Sequence, residues 1–231
     1  MESRSFQEIK SDLISLGLAY YGEPSPQPPD PEKLIIETIC LFREDQKLYR
    51  MLLSWLDSYG DLVHVERLIH FLKDLNDEEK LFLGVTALKR VNAGDHRFKV
   101  LFERIKRQKP KLGANLAGQD EFLIEKHGID SEFETFGIRT STIDPSEKKK
   151  ILQRTKVVEN NLWLRLRALL GSNFRADVAF IKLSKLALNP YQTMKLVGCS
   201  KETTYRIWKS LEEAKIEELF KYSANPNDIA T

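Results

Sequence analysis

Lys201, Tyr205, Arg206 and Lys209 stand in the stretch SKETTYRIWKSLEEAKI at spacings that gather them on one side of a helix. Thr204, Ile207, Trp208 and Leu211 follow the i, i+3, i+4, i+7 rhythm of the opposite, buried side. Lysine, arginine and tyrosine on a free face are donors suited to phosphate oxygens and base edges. Ser200 can cap this helix, with Thr203 three positions on where a full capping box has Glu or Gln. Ahead of it, Pro190 opens a shorter helix through Val197. Gly198, Cys199 and Ser200 then form a tight turn, because glycine adopts left-handed φ at little cost.

Other chemistry has thinner support. No phosphate-binding glycine loop, nucleophile elbow or paired cysteine motif occurs. His64 and His70 flank Glu66, but six positions put the histidines on different helix faces, so no metal site is expected. Gly171, Ser172 and Asp177 suggest the start of a nucleotidyltransferase site, yet Ala179 stands where a second acid would be needed for two-metal catalysis. Arg90 and His96 flank VNAGD, and this spacing resembles the active site of small helical ribonucleases of the HEPN type. In that reading Arg90 would stabilise a phosphorane and His96 would act as acid or base. A surface arginine and a loop histidine fit the residues as well. Cys40 and Cys199 lie far apart and supply no disulfide framework. No cofactor and no metal is expected.

The elements that must position these groups are mainly α. The chain has 231 residues, of which 42% are hydrophobic and 30% charged, and its mean hydropathy is −0.38, which argues against disorder and against membrane spans. The start of the chain lacks a secretory pattern, so the cytoplasm is the expected location. Residues 1–20 read as an arm helix on Phe6, Ile9, Leu13 and Leu16, and the prolines of 21–31 read as an extended linker. Residues 32–112 read as a helical bundle of amphipathic segments with short loops, and its last helix, around Val100 to Ile105, is basic. Residues 113–144 read as an acidic connector with a short helix at 120–126 and a strand around 136–143. Residues 145–231 then begin with one helix running to Leu170 and stopping at Gly171. The net charge of +2 is small, but Lys148 to Arg175 carries eight basic residues against Glu159. Arg165, Arg167 and Arg175 in that block are expected to neutralise phosphates flanking a site on the third C-terminal helix.

A short helix, a three-residue turn and a longer helix make a helix-turn-helix, although helical hairpins without any nucleic-acid role share the pattern. LWLRLRALLGSNFRADVAFIKL followed by NPYQTMKLVGCSKETTYRIWKSLEEAKI resembles the winged-helix families of bacterial and archaeal transcription regulators, over about Leu162 to Tyr222. The resemblance implies a C-terminal winged-helix-like domain that binds double-stranded DNA, with Lys201, Thr203, Tyr205, Arg206 and Lys209 facing it and a short hairpin wing after Ile216. Half-site geometry implies a homodimer. The competing reading is a helical interaction protein, such as the antitoxin of a toxin system, with a protein partner on the bundle.

Overall fold

The computed structural model describes residues 4–42, 45–110, 121–142 and 150–221. It is mainly helical and divides into two compact units, Met1–Asn161 and Leu162–Thr231. Among the described residues, no helix is long and apolar enough to cross a membrane.

The first unit opens with α1 (Phe6–Ser15), started by a capping box between Ser5 and Glu8, and buries Ile9 and Leu13. The arm is docked: Trp55 Nε1 donates to the Leu16 carbonyl at 2.8 Å. Gly17 turns the chain at φ +94°, where a Cβ would fall within Val157 Cγ2. This turn lets Leu18 bridge to Ile151, with Leu152 N donating to Gly17 O at 2.8 Å. Gly17→Ala combines disallowed backbone with overpacking and is expected to cost about 1–3 kcal/mol, read as a lower urea midpoint at unchanged m-value.

The proline stretch ends where Asp30 caps α2 (Pro31–Cys40) and Pro31 takes the first turn. This helix is central, with Leu34, Ile35, Ile36 and Ile39 buried. Around it lie α3 (Gln46–Tyr59), α4 (Val65–Phe71) and α5 (Asp77–Asn92), with α6 (Lys99–Gln108) packed on α4 and α5, the segments expected from periodicity. The acids Asp77, Glu78 and Glu79 stand in the first turn of α5, whose cap is Asn76, boxed with Glu79. Two carboxylates also stand among the buried residues of α2. Glu32 is fully buried, accepting from Arg67 Nη1 at 3.0 Å and from the His64 amide at 2.9 Å. Glu37 pairs with Arg4 at 2.8 Å. Burial pushes the Glu37 carboxyl above its ordinary pKa.

Downstream of α6 the structure corrects four expectations. Residues 121–142 are more than a connector: α7 (Glu121–His127) and α8 (Ser131–Glu134) bring Phe133 edge-on to Tyr49, and Arg50 donates to Ser141 Oγ and Thr140 Oγ1. The strand expected at 136–143 is a turn at 135–137 and one isolated bridge, Ile129 to Ser141, with Ile143 outside the described residues. Gly137 at φ +72° closes that turn and prevents a continuous extended run. The single helix expected to reach Leu170 is two, α9 (Arg154–Asn160) and α10 (Leu162–Leu170), because Asn161 sits at φ −126°, ψ 103°. The unit boundary falls at that break and not at 144, since 150–161 packs with the first unit through Leu18, Gly17 and the ion pair of Arg154 with Asp61. The expected helix start at 145–147 lies outside the described residues.

Candidate nucleic-acid interface

The second unit holds α10, α11 (Phe174–Leu183), α12 (Pro190–Val197), α13 (Lys201–Glu213) and α14 (Ile216–Lys221). Gly171 ends α10 at φ +84°, and Asn173 caps α11 by accepting from the Arg175 amide at 2.8 Å. Trp163 stacks on Phe180 with ring centroids 4.2 Å apart, and Val178, Ile181, Val197, Ile207, Trp208 and Leu211 complete the core.

Inside this core lies an ion pair. Asp177 Oδ1 accepts from Trp163 Nε1 at 2.6 Å, from Arg167 Nε at 3.0 Å and from Arg167 Nη2 at 2.7 Å, and both charged side chains are fully buried. The expectation that Arg167 neutralises a flanking phosphate is therefore corrected. Its guanidinium is spent holding α10 to α11 and has no exposed surface to offer. Asp177 in turn is a structural acceptor.

α12 starts with Asn189 as cap and Pro190 in the first turn, and ends at Gly198, whose φ of +75° reverses the chain. Ser200 then caps α13 by accepting from the Thr203 amide at 3.2 Å, and Thr203 Oγ1 meets Ser200 Oγ at 3.1 Å. Thr204 donates to the Ser200 carbonyl at 2.8 Å from the buried side. Removing the Ser200 hydroxyl, as in Ser200→Ala, is expected to destabilise the second unit by about 1 kcal/mol, measured by denaturant titration. Lys215 closes α13 at φ +47°, a left-handed stop that a glycine would adopt more cheaply.

The two faces of α13 separate as the spacing predicts. Thr204, Ile207, Trp208 and Leu211 are buried, while Lys201, Tyr205, Arg206 and Lys209 are exposed and Thr203 is half-buried. At 1.5 Å per residue the helix is about 20 Å long, and the major groove, about 12 Å wide, admits such an element. Lys201 lies over the Tyr205 ring at 5.9 Å. Lys209 pairs with Glu213 at 3.8 Å, but both are largely exposed, and pairs of that kind hold weakly enough to exchange. Arg206 makes no ion pair among the described residues. Glu202 is the acid on the same half of the helix.

Sequence reasoning missed an exposed aromatic and basic pair on α12. Tyr191 and Lys195 are exposed there, with Lys195 Nζ 4.6 Å from the Tyr191 ring centroid. Their i, i+4 spacing was the available signal. Of the remaining arginines, Arg175 is exposed at the start of α11 and Arg165 is half-buried on α10. The short hairpin expected after Ile216 is not what the chain does: 216–221 is helical and Ile216 and Phe220 pack against the core. Residues beyond 221 lie outside the described set.

The other candidate chemistries are not assembled. Arg90 is buried against Gly60 and faces Asp57, whereas His96 is exposed at the start of a short 3-10 turn, and no hydrogen bond or ion pair joins the two. Partial burial and Glu79 push the Cys40 thiol up to about 12, which disfavours a thiolate nucleophile. Among the described residues, no group of His, Cys, Asp and Glu is placed to hold a metal ion. No protein-family model, curated protein or solved structure matches the chain.

Proposed function

We propose that the second unit is a helix-turn-helix that binds double-stranded DNA through α13 and that the protein is a sequence-specific transcription regulator. The observation that carries this reading is the segregation on α13: three cations and a tyrosine share the exposed face, anchored from behind by Trp208 and Ile207. Lys201, Tyr205, Arg206 and Lys209 enter the groove, with Ser200 and Thr203 at the helix start and Lys195, Arg165 and Arg175 toward flanking phosphates. The winged-helix likeness applies to the helical part, with α14 in place of a wing hairpin. A homodimer on half-sites one helical turn apart follows from the usual geometry of such readers.

The test is selection of bound duplexes from a random library by the full-length protein. The expected result is an enriched motif with two half-sites about 10–10.5 base pairs apart. An unenriched pool would overturn sequence-specific reading. A second reading, a protein-binding helical module, is favoured by one observation: Leu188, Tyr191 and Leu196, at the start and along α12, are 82%, 50% and 51% exposed. A protein partner would then occupy the face that DNA contacts here.

A further inference from the structure

Phe98, Leu101 and Ile105 bury one side of α6 and the turn before it, while Lys99, Arg104, Lys106 and Arg107 are exposed on the other, with Lys109 just past the helix end. Glu103, half-buried, is the one acid of this helix. Other arginines of the first unit are occupied: Arg4, Arg67, Arg90, Arg97 and Arg154 each meet a carboxylate. Arg104 and Arg107 do not. Among the described residues no carboxylate, those of the adjoining α4 and α5 included, stands within ion-pair distance of them or of Lys99 and Lys106.

The helix dipole does not account for this run. It favours cations in the last turn, where Lys106 and Arg107 stand, but Lys99 opens the helix at the end that favours acids. Arg104 and Arg107 are also like charges at i, i+3, a spacing that destabilises a helix. A face that is cationic despite both effects, and whose donors are uncommitted, fits a polyanion. Phosphate suits it better than an acidic protein does. Val100 is the exposed large apolar residue of α6, whereas protein interfaces are centred on buried apolar or aromatic anchors and are poor in lysine. Phosphate contacts need no such anchor, and the guanidinium fork matches their oxygens. Lys99 to Arg107 spans about 12 Å of helix axis, enough to meet several charges of a duplex that carries one per about 1.7 Å.

We infer that the exposed face of α6 is a second, sequence-independent contact for the phosphate backbone of double-stranded DNA. This rests on the reading of the chain as a DNA-binding protein but not on the role of α13. Fluorescence anisotropy of the full-length protein with a random-sequence duplex, over a salt series starting at about 50 mM, tests it. Wild type is compared with a quadruple variant, Lys99→Gln, Arg104→Gln, Lys106→Gln and Arg107→Gln, and with the α13 variant Arg206→Ala, Lys209→Ala. Glutamine has a helix propensity close to that of lysine and arginine, so an unchanged circular-dichroism spectrum is expected. The quadruple variant is expected to bind at least tenfold more weakly, with the slope of log affinity against log salt reduced by about 1.8 units or more as two or more phosphate contacts are lost. Lys99→Arg with Lys106→Arg, which keeps the charge, is expected to keep the affinity. Should the quadruple variant fail to fold, Arg104→Gln with Arg107→Gln serves, with at least a threefold loss expected. Weakening of the α6 variant alone would support the inference and remove α13 as the DNA contact. Weakening of the α13 variant alone would overturn the inference and leave the α6 face to an acidic protein. Equal loss in the charge-preserving variant would also overturn it, and absence of duplex binding by the wild type would overturn both readings.

Discussion

Arg206→Ala combined with Lys209→Ala is expected to reduce duplex affinity sharply and to make the remaining binding less sensitive to salt. An arginine on a base edge contributes about 1–3 kcal/mol of discrimination. Each lysine or arginine neutralising a phosphate contributes about 0.9 to the slope of log affinity against log salt concentration. With both groups on phosphates the slope falls by about 1.8 units; with Arg206 on a base, it falls by about 0.9 while preference among sequences relaxes. Folding is not expected to change. Both side chains are exposed, and surface substitutions of this kind usually lie within about 0.5 kcal/mol. Anisotropy titrations over a salt series, with circular dichroism as the control, separate the two outcomes.

Asp177→Ala has the largest expected effect on stability. It leaves the Arg167 guanidinium and the Trp163 indole N–H without their shared acceptor in a fully buried site. Breaking such a pair by removing one partner costs about 3–5 kcal/mol, a large part of the stability of a small domain. Replacing both charges, as in Arg167→Met with Asp177→Leu, is expected to recover most of that loss, because well-packed apolar groups often substitute for buried pairs. Thermal unfolding of the second unit reads both results. Were Arg167 instead a phosphate contact, Arg167→Met would weaken DNA binding with the melting temperature unchanged, and the buried pair predicts the reverse order of effects.

These two residues also mark where the sequence stops being legible. Periodicity and caps located nearly every helix of the first bundle, since Leu34 to Ile39, Leu48 to Leu56 and Leu81 to Leu88 each present an apolar stripe. The turn at Gly198, the cap at Ser200 and the two faces of α13 were equally readable, because local chemistry decides them. Arg167 and Asp177 were not. Their charge suggested a solvent face, although Arg167 lies four positions after Trp163 and Asp177 three before Phe180, which places each on its helix's apolar stripe. A charge on an apolar stripe is the signal of a buried pair, and Glu32 and Glu37 among the apolar residues of α2 repeat it. Residues 121–142 were read as a connector because their helices are too short for a period to emerge. Only the three-dimensional packing shows Phe133 entering the core. The break at Asn161 carries no glycine or proline and is set by its extended dihedrals.

The central claim is that the exposed face of α13 binds duplex DNA. Fluorescence anisotropy of the full-length protein with a random-sequence duplex pool and with the promoter region of its own gene, at about 50 and 200 mM salt, tests it most directly. The expected result is binding to both at the lower concentration, a steep loss of the random pool at the higher, and retention of the promoter fragment. Absence of binding at about 50 mM salt, where phosphate contacts are strongest, would contradict the claim and leave the α12 and α13 surface to a protein partner.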